Sequence, residues 1–297
     1  MFPIDEFIIL VYCLVSEHFN TLSNGQRLRS RGFSPSLTDS EVITMEIVGE
    51  FLGIDTDKGT WEYFRSHWLH FFPRLGCRTT YARQAANQWY WKIKLQNKFA
   101  RDMCAFVDNI HLVDGLPIPV CHFKRAFFSK VFRGEAACGY CAAKDEHYYG
   151  FHGHLLISLS GVITGFTVTT ANADEREALW EILPGVHGLV IGDKGYISAL
   201  LHNNLLAHGI DLQTALRENM KDERDPKFVN KLKSVRRKIE TVIGQLCERF
   251  NIEKVRARDI WHMTNRMFRK ILSHTVAVYL NQSFGRDPLQ FDGLIAA

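Results

Sequence analysis

Phe151-His152-Gly153-His154-Leu155-Leu156-Ile157-Ser158 and Val162-Ile163-Thr164-Gly165-Phe166-Thr167-Val168-Thr169-Thr170 are two strand-like apolar runs, the second rich in β-branched residues. Ser160-Gly161 between them is a turn signal, so the pair reads as a hairpin. Downstream, Glu175 to Leu183 has helical composition, and Leu189-Val190-Ile191-Gly192 is a short buried strand that delivers Asp193 at its end. Ser198 to His208 reads as a helix stopped by Gly209, and Ile210 to Leu216 as a strand. Two long helical stretches, Val229–Phe250 and Thr264–Asn281, follow. Upstream, Ile110 to Val113 is an apolar run that breaks at Asp114-Gly115, and Pro117 and Pro119 argue against its continuing as a central strand. Strands in a run, then strands alternating with helices, predict an α/β fold with a mixed sheet covered by helices.

Before residue 103 the pattern is helical. Thr38-Asp39-Ser40-Glu41 has the form of a capping box, and Val42, Met45, Val48 and Leu52 recur behind it at helical spacing. Thr80 to Phe99 is a second periodic stretch. The change of pattern predicts a helical domain over 1–102 and an α/β domain over 103–297.

The 297 residues are 46% hydrophobic and 23% charged, which excludes a disordered, collagen-like or disulfide-dense miniature chain. The longest apolar runs fall well short of the roughly 20 residues of a spanning helix, so no membrane segment is expected. Met1-Phe2-Pro3-Ile4-Asp5-Glu6 lacks a basic start and a cleavage site, and the seven cysteines are scattered. Both features suit a cytoplasmic protein with reduced thiols.

With 36 Lys and Arg against 32 Asp and Glu, the net charge is only +4, yet the basicity is segregated. Arg217–Lys270 holds sixteen basic and eight acidic residues. Arg78–Arg101 holds six basic residues and no acid, interleaved with Tyr81, Trp89, Tyr90 and Trp91. Two such islands suit a polyanion surface, with Arg83, Lys92 and Lys94 as contacts in the first. A basic aromatic helix of this kind lies either against DNA or in an ordinary bundle with Trp89 and Trp91 as core anchors, and the sequence leaves both open.

Three acids stand out. Asp114 and Asp193 sit at the ends of apolar strands, where open α/β sheets place ligand sites. Glu240 flanks the apolar stripe Ile239, Val242, Ile243, Leu246 and Phe250 of a long helix. Converging, they form a cluster of negative charge that needs cations, and hard oxygen donors suit Mg²⁺ or Mn²⁺ rather than zinc. Two such ions about 3.5–4 Å apart clamp the attacking and leaving oxygens of an in-line phosphoryl transfer. Asp108 competes with Asp114 but has poorer strand flanks. Asp174 and Glu175 read as helix caps. Cys138-Gly139-Tyr140-Cys141, with His147, His152 and His154 downstream, is a weaker candidate zinc set.

The sequence resembles the DDE transposases of bacterial insertion sequences, and among them the nine-eighty-two group. The resemblance rests on Leu112-Val113-Asp114-Gly115-Leu116-Pro117-Ile118-Pro119-Val120-Cys121, on Gly139-Tyr140-Cys141-Ala142 with Tyr148-Tyr149-Gly150-Phe151, on Gly192-Asp193-Lys194-Gly195-Tyr196, and on Arg236-Arg237-Lys238-Ile239-Glu240-Thr241. Ser273-His274-Thr275 and Pro288-Leu289-Gln290-Phe291 look similar too, so 104–297 is covered strongly and the helical part loosely. It implies an RNase H-like catalytic domain behind a helical DNA-binding domain. It further implies two-metal cutting and joining of DNA at terminal inverted repeats by Asp114, Asp193 and Glu240, in a homodimer or larger synaptic complex holding transposon ends and target DNA. In the cell such a protein would sit on the nucleoid when bound to DNA.

In the Tyr-x2-Arg-x3-Glu-x6-Lys motif of related transposases, Arg236 and Glu240 match, whereas Lys233 takes the Tyr position and Cys247 the Lys position. Arg249 or Lys238 would then supply the missing cation. Lys194 and Arg237 are the remaining expected DNA contacts beside the acids. His152-Gly153-His154 stands where basic residues are expected for phosphate contact. Two other functions fit the residues: a metal-dependent nuclease that cuts without joining, and a catalytically silent DNA-binding derivative.

Overall fold

The computed structural model describes residues 2–26, 32–142 and 144–295. Its strands are β1 Ile110–His122, β2 Ala137–Cys141, β3 Glu146–Ser158, β4 Ile163–Thr170, β5 Gly188–Gly192 and β6 Ile210–Thr214. The helices are α1 Ile4–Ser23, α2 Asp39–Phe51, α3 Asp57–His67, α4 Arg78–Ala86, α5 Trp89–Asp102, the short α6 Phe123–Ala126, α7 Glu175–Ile182, α8 Ala199–Ala207, α9 Pro226–Glu248 and α10 Ile260–Ser283.

The chain divides into two compact units, one of residues 1–99 with 246–297 and one of residues 100–245. The division expected at 102/103 therefore changes at the C-terminus, where 246–297 clusters with the helices. An amphipathic helix such as α10 has no strand pattern to tie it to a sheet, and its buried Met267, Ile271 and Val276 serve a helical core.

The sheet unit is built on the hairpin. β3 and β4 pair antiparallel from Phe151↔Thr170 to Ile157↔Ile163. β1 lies antiparallel along the other edge of β3, from His111↔Ser158 to His122↔Tyr148. β5 then joins β1 in parallel, and β6 joins β5 in parallel, each parallel strand reached through a helix, α7 or α8. The path β4-β3-β1-β5-β6 is an RNase H-like mixed sheet, with β2 added beside the first half of β3. Asp174 caps α7 and Ser198 caps α8, the latter where the sequence starts that helix.

β1 does not end at Asp114. It runs on to His122, past Pro117 and Pro119, with a bulge between Pro119 and Cys121. The prolines are tolerated because β5 pairs only with Ile110, His111 and Leu112. Beyond Leu112 that edge of β1 carries no ladder in which a missing N–H would be felt.

In the helical unit, Thr38 and Glu41 form the expected capping box, with the Glu41 N–H donating to Thr38 Oγ1 at 3.2 Å. Thr80–Phe99 is two helices, α4 and α5, rather than one. Phe7, Val11, Ile43, Ile47, Phe64 and Phe99 are buried, and so are the charged residues Glu46, Glu50, Lys92, Arg269 and Lys270. Lys92 pairs with Glu46. Arg269 spans Glu50 and Asp57, at 2.5 and 2.7 Å, and Lys270 Nζ lies 2.7 Å from Glu50 Oε2. Buried charges persist only when paired and hydrogen-bonded in this way. Among the described residues no helix is long and apolar enough to cross a membrane.

Candidate active site

The parallel register decides where the acids meet. The ladder ends where Leu112 faces Ile191; Asp114 lies two residues further along β1, and Asp193 follows the last residue of β5, so both acids stand at this end of the β1–β5 pair. With a side-chain period of two, Asp114 shares a face of β1 with Leu112. α9 brings Arg236 and Glu240 to this end of the sheet, and their four-residue spacing puts both on one side of the helix.

Arg236 is the counter-charge. Its Nη2 donates to Asp114 Oδ2 at 2.7 Å, while the Gly115 N–H donates to Asp114 Oδ1 at 2.9 Å. Burial pushes the Asp114 carboxyl up, Arg236 and the Gly115 amide oppose that, and the Asp193 charge adds to the rise. Burial lowers the Arg236 guanidinium, but Asp114, Asp193 and Glu240 together hold it above its ordinary value. All three acids thus act on one cation. Asp193 also caps the single 3-10 turn Lys194–Tyr196, accepting the Gly195 N–H at 2.7 Å. Glu240 is exposed and shares with Arg224, Lys233, Arg236 and Arg237 a cleft of about 240 Å³ beside Gly192. Asp108, the competing acid, precedes β1 and acts on His111 instead.

Among the described residues no three His, Cys, Asp or Glu side chains stand close enough together to hold a metal ion. The donor chemistry nonetheless fits a hard divalent cation. Two half-buried carboxylates stand at one end of the β1–β5 pair, Asp114 is engaged by a guanidinium, and among the described residues the buried Tyr196 hydroxyl has no hydrogen-bond partner. Cys138 and Cys141 lie on β2, and all seven cysteines are unbridged.

The expected DNA contacts separate. Arg83, Lys194, Lys233 and Arg237 are exposed. Lys94 is half-buried, its ammonium 4.8 and 4.9 Å from the Tyr90 and Trp91 ring centroids. Lys92 is a correction: it is fully buried against Glu46 and Asn265 and cannot reach a phosphate. Arg249 belongs to the helical unit, half-buried 5.9 Å from the Phe51 ring and 3.9 Å from Asp292. In both basic islands the count included cations spent on internal partners, as Lys92, Arg269 and Lys270 are. His154 lies in the stretch where basic residues are expected for phosphate contact. It is buried, hydrogen-bonded to Thr169 at 2.8 Å, and burial pushes its imidazole down to about 4.

Sequence reasoning missed two groups here. Arg224 reaches from the β6–α9 connection to Gln213 Oε1 and the Thr214 carbonyl at 2.9 and 3.0 Å, lining the cleft beside Glu240. Glu175, read as a cap, turns instead to His152, with 3.3 Å between Oε1 and Nε2. The cap at that helix is Asp174 alone, and nothing local distinguishes the two acids.

A family profile described as Transposase DDE domain matches residues 104–260. Among solved structures, the cryo-EM structure of a piggyBac transposase synaptic complex with hairpin DNA is similar, at 11% identity and a TM-score of 0.46, covering 98% of this chain and 78% of that one. A search among curated protein sequences finds no match.

Proposed function

The chain belongs to the DDE transposases, enzymes that act on DNA, and on that premise we propose that it binds the terminal inverted repeats of an insertion sequence of the nine-eighty-two group and catalyses phosphodiester hydrolysis and strand transfer with Asp114, Asp193 and Glu240. The observation that carries the reading is the place of Arg236, which donates to Asp114 at 2.7 Å and lines one cleft with Glu240 beside Gly192, the residue that precedes Asp193.

In this reading Asp114, Asp193 and Glu240 hold divalent cations, Mg²⁺ or Mn²⁺, two of them. Bound there, the cations supply a Lewis acid for the phosphoryl oxygens and an activated nucleophile. The chain's own residues do the positioning. Asp114 is held by its place in β1 and by the Gly115 amide, and Asp193 by the Gly195 amide that it caps, so little ordering remains to be done when the substrate arrives. Arg236 neutralises Asp114 in the resting protein and remains beside the site to meet the scissile phosphate. Lys233 and Arg237 line the cleft beside Glu240 and the exposed Lys194 follows Asp193, cations placed to hold the DNA backbone. The helical unit adds Arg83 and Lys94 as a second contact surface, and pairing of two transposon ends requires at least a homodimer.

The test is incubation of the purified protein with labelled inverted-repeat DNA and Mg²⁺ or Mn²⁺. Strand-transfer products support the proposal, cleavage without joining supports a nuclease, and binding without either supports a silent derivative.

A further inference from the structure

The site has a fourth acid. Glu175 Oε2 lies 2.7 Å, and Asp193 Oδ1 2.9 Å, from the point where a Cβ on Gly195 would stand, so the two carboxylates are within about 6 Å of each other with only a glycine between them. The other oxygen of Glu175 is 3.3 Å from His152 Nε2, and that same nitrogen lies 2.2 Å from where a Cβ on Gly115 would stand, next to Asp114. His152 Nδ1 is hydrogen-bonded to the Tyr148 hydroxyl at 3.2 Å, which fixes the ring from its far side. Glu175 and His152 thus stand between the Gly195 turn beside Asp193 and Gly115 beside Asp114, and both glycines are the residues that leave room for them. Two-thirds of the Glu175 side chain and more than four-fifths of His152 are shielded from water.

An independent observation points to a ligand. The Tyr196 side chain is completely buried, yet among the described residues its hydroxyl has no hydrogen-bond partner. It lies in the field of Glu175, Asp114 and Asp193 together, which with burial holds the phenol well above its ordinary value. A buried hydroxyl among three carboxylates is a place for a hydrated cation, whose water supplies the missing partner.

We propose that Glu175 is a fourth carboxylate ligand of the divalent cation held by Asp193, with His152 as the residue that positions it. This rests on the reading of Asp114, Asp193 and Glu240 as the metal-binding acids. It explains why the sheet carries a half-buried histidine on β3 beside Gly115, where a phosphate-binding cation would otherwise be expected: the ring serves a carboxylate, and a ligand's partner of this kind tunes metal affinity.

The experiment is Mn²⁺ binding by the full-length protein without DNA, read as free Mn²⁺ by electron paramagnetic resonance, with far-UV circular dichroism checking each fold. Glu175→Gln is expected to weaken Mn²⁺ binding about tenfold or more, and Asp174→Asn to leave it unchanged. His152→Leu should weaken it as well, whereas His152→Gln, whose amide can donate to Glu175, should restore most of it. Gly195→Ala keeps all four acids but sets a methyl against two of them, and should weaken binding too, which covers the case of a Glu175 variant that does not fold. If Glu175→Gln and Gly195→Ala bind Mn²⁺ as the wild type does while Asp193→Asn does not, Glu175 is no ligand and the three-acid reading stands. If Asp193→Asn also binds normally, both are overturned.

Discussion

Arg236 and Asp114 are 122 residues apart in sequence and 2.7 Å apart in space, and this contact ties the β1 aspartate to the helix that carries Glu240. Through it a guanidinium stands where the negative charges of the site would otherwise face one another. The guanidinium thereby offsets the like-charge repulsion of Asp114 and Asp193.

Replacing Arg236 by Gln should therefore lower the melting temperature in metal-free buffer, by the equivalent of about 2 kcal/mol, because a half-buried carboxylate loses its partner. Mn²⁺ should raise the melting temperature of this variant by more than it raises that of the wild type. Equal shifts in the two proteins would mean that Arg236 does not stand in for a cation.

Lys92 distinguishes a structural cation from a DNA contact. Lys92→Met leaves Glu46 and Asn265 without their buried partner and should destabilise the helical unit by about 3 kcal/mol in chemical denaturation. The slope of log affinity for DNA against log salt should stay as in the wild type. Lys233→Ala and Arg237→Ala should leave stability within about 0.5 kcal/mol and should each reduce that slope by about 0.9. Loss of slope in Lys92→Met would overturn the assignment.

Acid stability carries the signature of His154. Its folded-state value, about 4, lies below the ordinary 6.5 because the ring is buried. Between those two values the unfolded chain holds a proton that the folded chain does not, so stability is lost as pH falls from 6.5 towards 4, by up to about 3 kcal/mol. Urea denaturation of His154→Gln across that window should give a visibly shallower dependence. An unchanged slope would show that the ring is protonated in the fold.

The hairpin, the helices α7, α8, α9 and α10 and the strands β5 and β6 were legible because each has one dominant period and a clear stop, such as Gly209. β1 was not read through to His122, since its prolines are harmless only where β5 has already ended, and that is a fact of sheet pairing rather than of local sequence. The acids Asp114, Asp193 and Glu240 could be picked out by their flanks. The roles of Glu175 and Lys92 could not: one acid among several at a helix start and one lysine in a basic run acquire their partners, His152 and Glu46, from residues 23 and 46 positions away. Charge counting sees such residues, but burial decides what they do.

Under the proposed function Asp193 works in catalysis and does more than cap its turn. Cleavage and strand transfer on labelled inverted-repeat DNA with Mn²⁺ should fall at least a thousandfold in Asp193→Asn, whose amide oxygen still accepts the Gly195 N–H, while DNA binding stays within about threefold of the wild type. Asp193→Asn protein that cleaves and joins DNA at the wild-type rate would contradict the account.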